Sequence, residues 1–104
     1  MTKEKLSLII DTLISVNNQE FLCNEKDNHV SLGYSIIEKN STFDIIFYVF
    51  LFEESEEPQI NDKLTINKED KFDIIVTKIT SYIINRFNEY HGYETEQDYN
   101  YINR

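Results

Sequence analysis

Two runs decide the fold: His29-Val30-Ser31-Leu32-Gly33-Tyr34-Ser35-Ile36-Ile37-Glu38, and shortly after it Thr42-Phe43-Asp44-Ile45-Ile46-Phe47-Tyr48-Val49-Phe50-Leu51-Phe52-Glu53. In the first, Val30, Leu32, Tyr34 and Ile36 share one face, while His29, Ser31, Gly33 and Ser35 share the other. That is the period-two alternation of a half-buried strand. The second run is rich in β-branched and aromatic residues and apolar on both faces. Phe43, Ile45, Phe47, Val49 and Leu51 lie on one side, and Ile46, Tyr48, Phe50 and Phe52 on the other. With Lys39-Asn40 as a two-residue hairpin loop, Ile36 faces Phe43, Tyr34 faces Ile45, Leu32 faces Phe47 and Val30 faces Val49. The whole apolar set then falls on one side, as a sheet packed on one face requires.

Upstream, residues 3–16 place Leu6, Ile9, Ile10, Leu13 and Val16 at helical spacing, with Thr2 as N-cap and Asn17-Asn18 as the stop. A short strand is expected over 20–24. Across a turn at 25–28 it would pair Cys23 with Val30 and Phe21 with Leu32, leaving Cys23 as inert core packing. Downstream, Glu53-Glu54-Ser55-Glu56-Glu57-Pro58 reads as an acidic loop and 63–66 as an edge strand. Asn67 reads as an N-cap with Asp70 three positions on. A long helix follows over 68–90, with the stripe Phe72, Ile75, Val76, Ile79, Ile83, Phe87 and Tyr90. His91-Gly92 stops it, and Thr95-Glu96-Gln97-Asp98 opens a last short helix ending near 103. The expected class is α+β, in the order α-β-β-β-(β)-α-α. It has an antiparallel three- to four-stranded sheet with helices packed on one face, in a single domain over 1–104.

The 104 residues hold 19 acids against 10 bases, a formal net charge of −9. That excess argues against direct binding to nucleic acid or to an anionic membrane. Seven Phe and seven Tyr supply enough apolar mass for a packed core rather than a disordered acidic tail. No run is long and apolar enough to span a bilayer, the N-terminus reads as a helix start rather than a signal peptide, and a single cysteine fits a reducing compartment. A cytoplasmic location is therefore expected. The absence of Ala beside abundant Ile, Asn and Lys points to an AT-rich genome, such as that of a low-GC bacterium or its phage; for a phage product the location would be the host cytoplasm.

No catalytic constellation assembles, and an enzyme is not expected. Glycine occurs only at Gly33 and Gly92, too sparsely for a phosphate-cradling loop. His29 and His91 lack neighbours at metal-ligand spacing, and Cys23 lacks a partnered His. No metal or cofactor is expected. Three features could carry binding. One is the acid cluster Glu53, Glu54, Glu56, Glu57 and Asp62, which otherwise guards the end of an apolar strand. Another is the segment from Phe87 on, where Glu89, Tyr90, Tyr93, Glu94, Glu96, Asp98, Tyr99 and Tyr101 interleave carboxylates with tyrosines. Carboxylates spaced along a helix present a phosphate-like row to Arg and Lys, and tyrosine adds rigid contact area. The last is the face of Ile46, Tyr48, Phe50 and Phe52, open to a partner or second copy unless the C-terminal helix covers it.

The segment Asn85-Arg86-Phe87-Asn88-Glu89-Tyr90-His91-Gly92-Tyr93-Glu94-Thr95-Glu96-Gln97-Asp98-Tyr99, the element order and the acidic balance resemble small phage-encoded anti-CRISPR proteins that inhibit Cas nucleases. The resemblance implies a non-enzymatic inhibitor whose acids occupy the basic site where a host defence enzyme reads nucleic acid. It transfers a mode of action and no residue assignments. The residues expected to carry it are Glu89, Glu94, Glu96 and Asp98 with Tyr93 and Tyr99 as anchors, then Glu53, Glu54, Glu56 and Glu57. The same chemistry serves an immunity or antitoxin protein that neutralises a basic cognate toxin. A homodimeric regulatory module built on Ile46, Tyr48, Phe50 and Phe52 is the third reading.

Overall fold

The computed structural model describes residues 1–24, 31–50 and 56–89, and the side chains of 1–16, 31–50 and 56–85. Helix α1 (Lys3–Asn24) is followed by strands β1 (Ser31–Glu38), β2 (Thr42–Phe50) and β3 (Ile60–Asn67), then helix α2 (Phe72–Glu89). The strands form an antiparallel meander in the order β1-β2-β3. The expected class and order hold; the expected last helix over 95–103 lies outside the described residues.

Helix α1 starts as its sequence directs. Thr2 Oγ1 accepts the Lys5 backbone N–H at 3.2 Å, a side-chain N-cap. The helix then runs through Asn17-Asn18 and absorbs 20–24, which overturns the strand expected there and its pairing of Cys23 with Val30 and Phe21 with Leu32. The physical reason is that two asparagines in a helix interior cost only about 0.7 kcal/mol each. Asparagine stops a helix by taking the left-handed conformation, and none of the described residues has a positive φ.

Parity in the β1–β2 hairpin holds, but the register differs. Ile36 pairs with Ile45, Tyr34 with Phe47 and Leu32 with Val49. The loop is Asn40-Ser41, one position later than expected, closed by Lys39 N–H donating to the Thr42 carbonyl at 2.9 Å. Moving a two-residue loop by one position slides the pairing by two and keeps every side chain on its face. The edge strand expected over 63–66 is longer than foreseen, and it pairs Phe43 with Ile66, Ile45 with Leu64 and Val49 with Ile60.

Both helices cover one face. Leu6 and Ile10 of α1 and Ile75, Ile79 and Ile83 of α2 are buried against Ile36, Phe43, Ile45, Phe47, Val49 and Ile66. The α2 stripe departs from expectation at its start: Phe72 is 64% exposed. Tyr82 instead packs on the sheet, stacked on Phe47 at 4.3 Å between ring centres. The helix also begins later than expected, because residues 67–70 close a separate turn. In that turn Asp70 N–H donates to the Asn67 carbonyl at 3.0 Å, and Asn67 N–H donates back to Asp70 Oδ2 at 3.1 Å.

Candidate functional site

The chain direction gathers charge at one end of the molecule. Strand β3 runs from Ile60 toward the hairpin loop, and α2 returns antiparallel to it. The return is fixed near its far end by Tyr82 OH, which donates to Asp62 Oδ2 at 2.8 Å. An 18-residue helix covers about 27 Å, close to the length of the nine-residue strand β2. The end of α2, with Glu89, therefore lies at the same end as the β2–β3 connection, where Glu56 and Glu57 are exposed. Helix α1 runs the same way. Lys3 acts on Glu38 at the hairpin end, while Ser7 and Asp11 reach Tyr34 midway along β1. Its last turn holds no basic residue. The C-terminal end of a helix carries partial negative charge from its dipole, which adds to the carboxylates there.

The hairpin end is built oppositely. Lys39 Nζ meets Asp44 Oδ2 at 2.7 Å, Lys68 meets Glu38 at 2.8 Å and Lys78 meets Asp70 at 3.0 Å. Lys68 also lies over the Phe43 ring at 5.2 Å. These contacts hold three carboxyl groups below their ordinary pKa. Asp44 is lowered by the Lys39 hydrogen bond and then by the Thr65 hydroxyl, with desolvation opposing. Glu38 is lowered by Lys68, and Asp70 by Lys78. Three lysines of an already acidic chain are thus neutralised at the end remote from Glu56 and Glu57.

Of the residues expected to bind a partner, Glu56 and Glu57 are exposed, and the end of α2 carries Glu89 toward them. Glu53, Glu54, Tyr93, Glu94, Glu96, Asp98 and Tyr99 lie outside the described residues. Asp62, grouped with the acid loop by sequence, stands instead on the core face of β3, held by Tyr82.

The face away from the helices carries Ile46, Tyr48 and Phe50; Phe52 lies outside the described residues. This face is less open than its composition suggests. A Cβ on Gly33 would lie 3.7 Å from Phe50 Cε2 and 3.9 Å from Tyr48 Cβ, so the aromatic side chains lean over the glycine. Tyr48 OH also shares a 2.9 Å hydrogen bond with Ser35 Oγ. All three apolar residues are half-buried against their own strands.

A cleft between the helices was not visible in the sequence. Met1, Leu8, Ile9, Leu13, Phe72 and Val76 line about 480 Å³ of almost wholly apolar space. Leu8 falls off the α1 stripe and is 67% exposed, the one sequence signal that marks it. Among the described residues, no three His, Cys, Asp or Glu side chains gather as metal ligands, and no helix is long and apolar enough to cross a membrane. No protein family, curated protein or solved structure matches the chain.

Proposed function

We propose that the chain is a non-enzymatic acidic inhibitor, encoded by a phage or mobile element, that occupies a basic nucleic-acid-binding site on a host defence enzyme. The observation that supports this reading is the convergence of acidic segments. The connection bearing Glu56 and Glu57 and the α2 terminus bearing Glu89 lie at one end, while three lysines toward the other end, Lys39, Lys68 and Lys78, are paired with carboxylates. Carboxylates grouped at one end offer the negative charge that an Arg- and Lys-lined channel is built to receive. The C-terminal acids Glu94, Glu96 and Asp98, with Tyr93 and Tyr99, continue that row in sequence.

The test is a pull-down from a host lysate with the tagged chain and with its Glu89→Lys, Glu94→Lys, Glu96→Lys variant, washed at low and then high salt. The wild type should retain a nucleic-acid-binding enzyme at low salt and release it at high salt. The variant should retain none, with its melting temperature within a few degrees of wild type. Equal capture by both proteins, or capture that resists salt, overturns the reading.

A further inference from the structure

We propose that the outer edge of β1 pairs with β1 of a second copy of this chain, antiparallel about a two-fold axis at Ser35, so that two three-stranded sheets join into one of six strands. Among the described residues, strand order places β1 at an edge of the sheet. The bond from Lys39 N–H to the Thr42 carbonyl fixes which residues point inward. In an antiparallel ladder this property alternates, so Lys39, Ile37, Ser35, Gly33 and Ser31 bond to β2. The N–H and C=O groups of Leu32, Tyr34, Ile36 and Glu38 therefore point outward, away from β2.

The two edges of the sheet are not alike. On β3 the outward backbone groups belong to Asn61, Lys63, Thr65 and Asn67, and the Lys63 charge is a common guard against strand addition. On β1 the stretch from Ser31 to Ile37 has no charge and no proline. Glu38, at its end, is already engaged by Lys68. For a chain of net charge −9, like copies repel over most of their surface. Between Ser31 and Ile37 the β1 strand itself brings no carboxylate to a meeting of two copies.

The strand is also self-complementary. With Ser35 on the axis, Tyr34 stands opposite Ile36 of the second copy and Leu32 opposite Glu38. Each outward pair exchanges both of its N–H···O bonds. Tyr34 against Ile36 is an aromatic against β-branched pair, a favourable cross-strand combination. Tyr34 is held ready for it: its hydroxyl contacts Ser7 Oγ at 2.6 Å and donates to Asp11 Oδ1 at 2.7 Å, fastening the edge strand to α1. Ser35 faces its own counterpart as a non-hydrogen-bonded pair, with Cα atoms about 4.5 Å apart, inside the range a disulfide spans.

Three measurements test the pairing. Sedimentation of the full chain should give twice the 12.4 kDa monomer mass. Amide exchange followed by NMR should show the Leu32, Tyr34 and Ile36 N–H groups exchanging at least tenfold more slowly in concentrated than in dilute samples. The Gly33 and Ser35 amides, bonded within the monomer, should stay protected at both concentrations. In a Cys23→Ser background, Ser35→Cys should form a disulfide-linked dimer under mild oxidation, and Asn61→Cys on the opposite edge should not. The proposal is overturned by a monomer at millimolar concentration, or by Leu32, Tyr34 and Ile36 amides whose exchange does not depend on concentration. Cross-linking of Asn61→Cys as fast as Ser35→Cys also overturns it. If the Ser35→Cys chain does not fold, the exchange measurement on the unaltered chain decides.

Discussion

Ile79→Ala is the sharpest test of the packing, because Ile79 and Ile84 share a helix and a residue type and differ in surroundings. Ile79 is fully buried and Ile84 is 37% exposed. Truncating Ile79 removes three methyl or methylene groups, about 2.4 kcal/mol at about 0.8 kcal/mol each. A cavity of roughly 60 Å³ that fails to collapse adds about 1.5 kcal/mol. The better helix propensity of alanine returns about 0.4 kcal/mol. The net loss of about 3.5 kcal/mol is a large share of the roughly 5–15 kcal/mol that holds a domain folded. With a urea m-value near 1.5 kcal/mol/M, the midpoint should fall by about 2 M with m unchanged. Ile84→Ala should stay within about 0.5 kcal/mol of wild type. Urea titrations followed by far-ultraviolet circular dichroism read both. A difference between the two variants of less than about 1 kcal/mol would refute the assignment of Ile79 to the core beneath α2.

Two further outcomes follow from the polar contacts. Tyr34→Phe deletes a partly buried hydroxyl bonded to Ser7 and Asp11, and should cost about 1–2 kcal/mol, read as a drop of roughly 5–10 °C in melting temperature; no shift would mean that these contacts are not held in solution. Glu38, Asp44 and Asp70 have folded pKa values lowered from 4.5, 3.8 and 3.8, so their stabilisation is complete above those values and is lost as pH falls through the folded ones. The urea midpoint should therefore hold from neutral pH to about pH 5 and decline below it. Asp44→Asn should flatten that decline, and an acid limb unchanged by the substitution would contradict the Lys39–Asp44 pairing.

The sheet was legible because strand parity tolerates error. Placing the hairpin loop one position early changed every partner of β1 and moved no side chain off its face. The length of α1 was not legible, since Phe21-Leu22-Cys23 is a short apolar run that suits a strand or a helix equally. Starting β3 at Lys63 hid the alternation Ile60, Asp62, Leu64 and Ile66, which would have placed Asp62 on the core side, within reach of a helix tyrosine. The cleft at Leu8 and Phe72 joins segments more than sixty positions apart in the sequence. Periodicity describes each helix by itself and is silent on how two helices meet. Of the candidate site, the sequence showed that acids cluster after β2 and after Arg86. That the end of α2 comes to the same end of the molecule as Glu56 and Glu57 required the directions of β3 and α2.

Among the described residues, three lysine–carboxylate pairs cancel charge near the hairpin while Glu56 and Glu57 stand exposed at the opposite end, so charge is set off centre. A uniform charge of −9 would draw the chain toward a cationic surface in any orientation. A separated charge also feels a torque as it approaches, and turns its acidic end forward before contact. At physiological ionic strength the field is screened over about 8 Å, so the turning happens within the last few water layers. There it narrows the rotational search rather than the translational one, and the face offered first is the end where α2 stops.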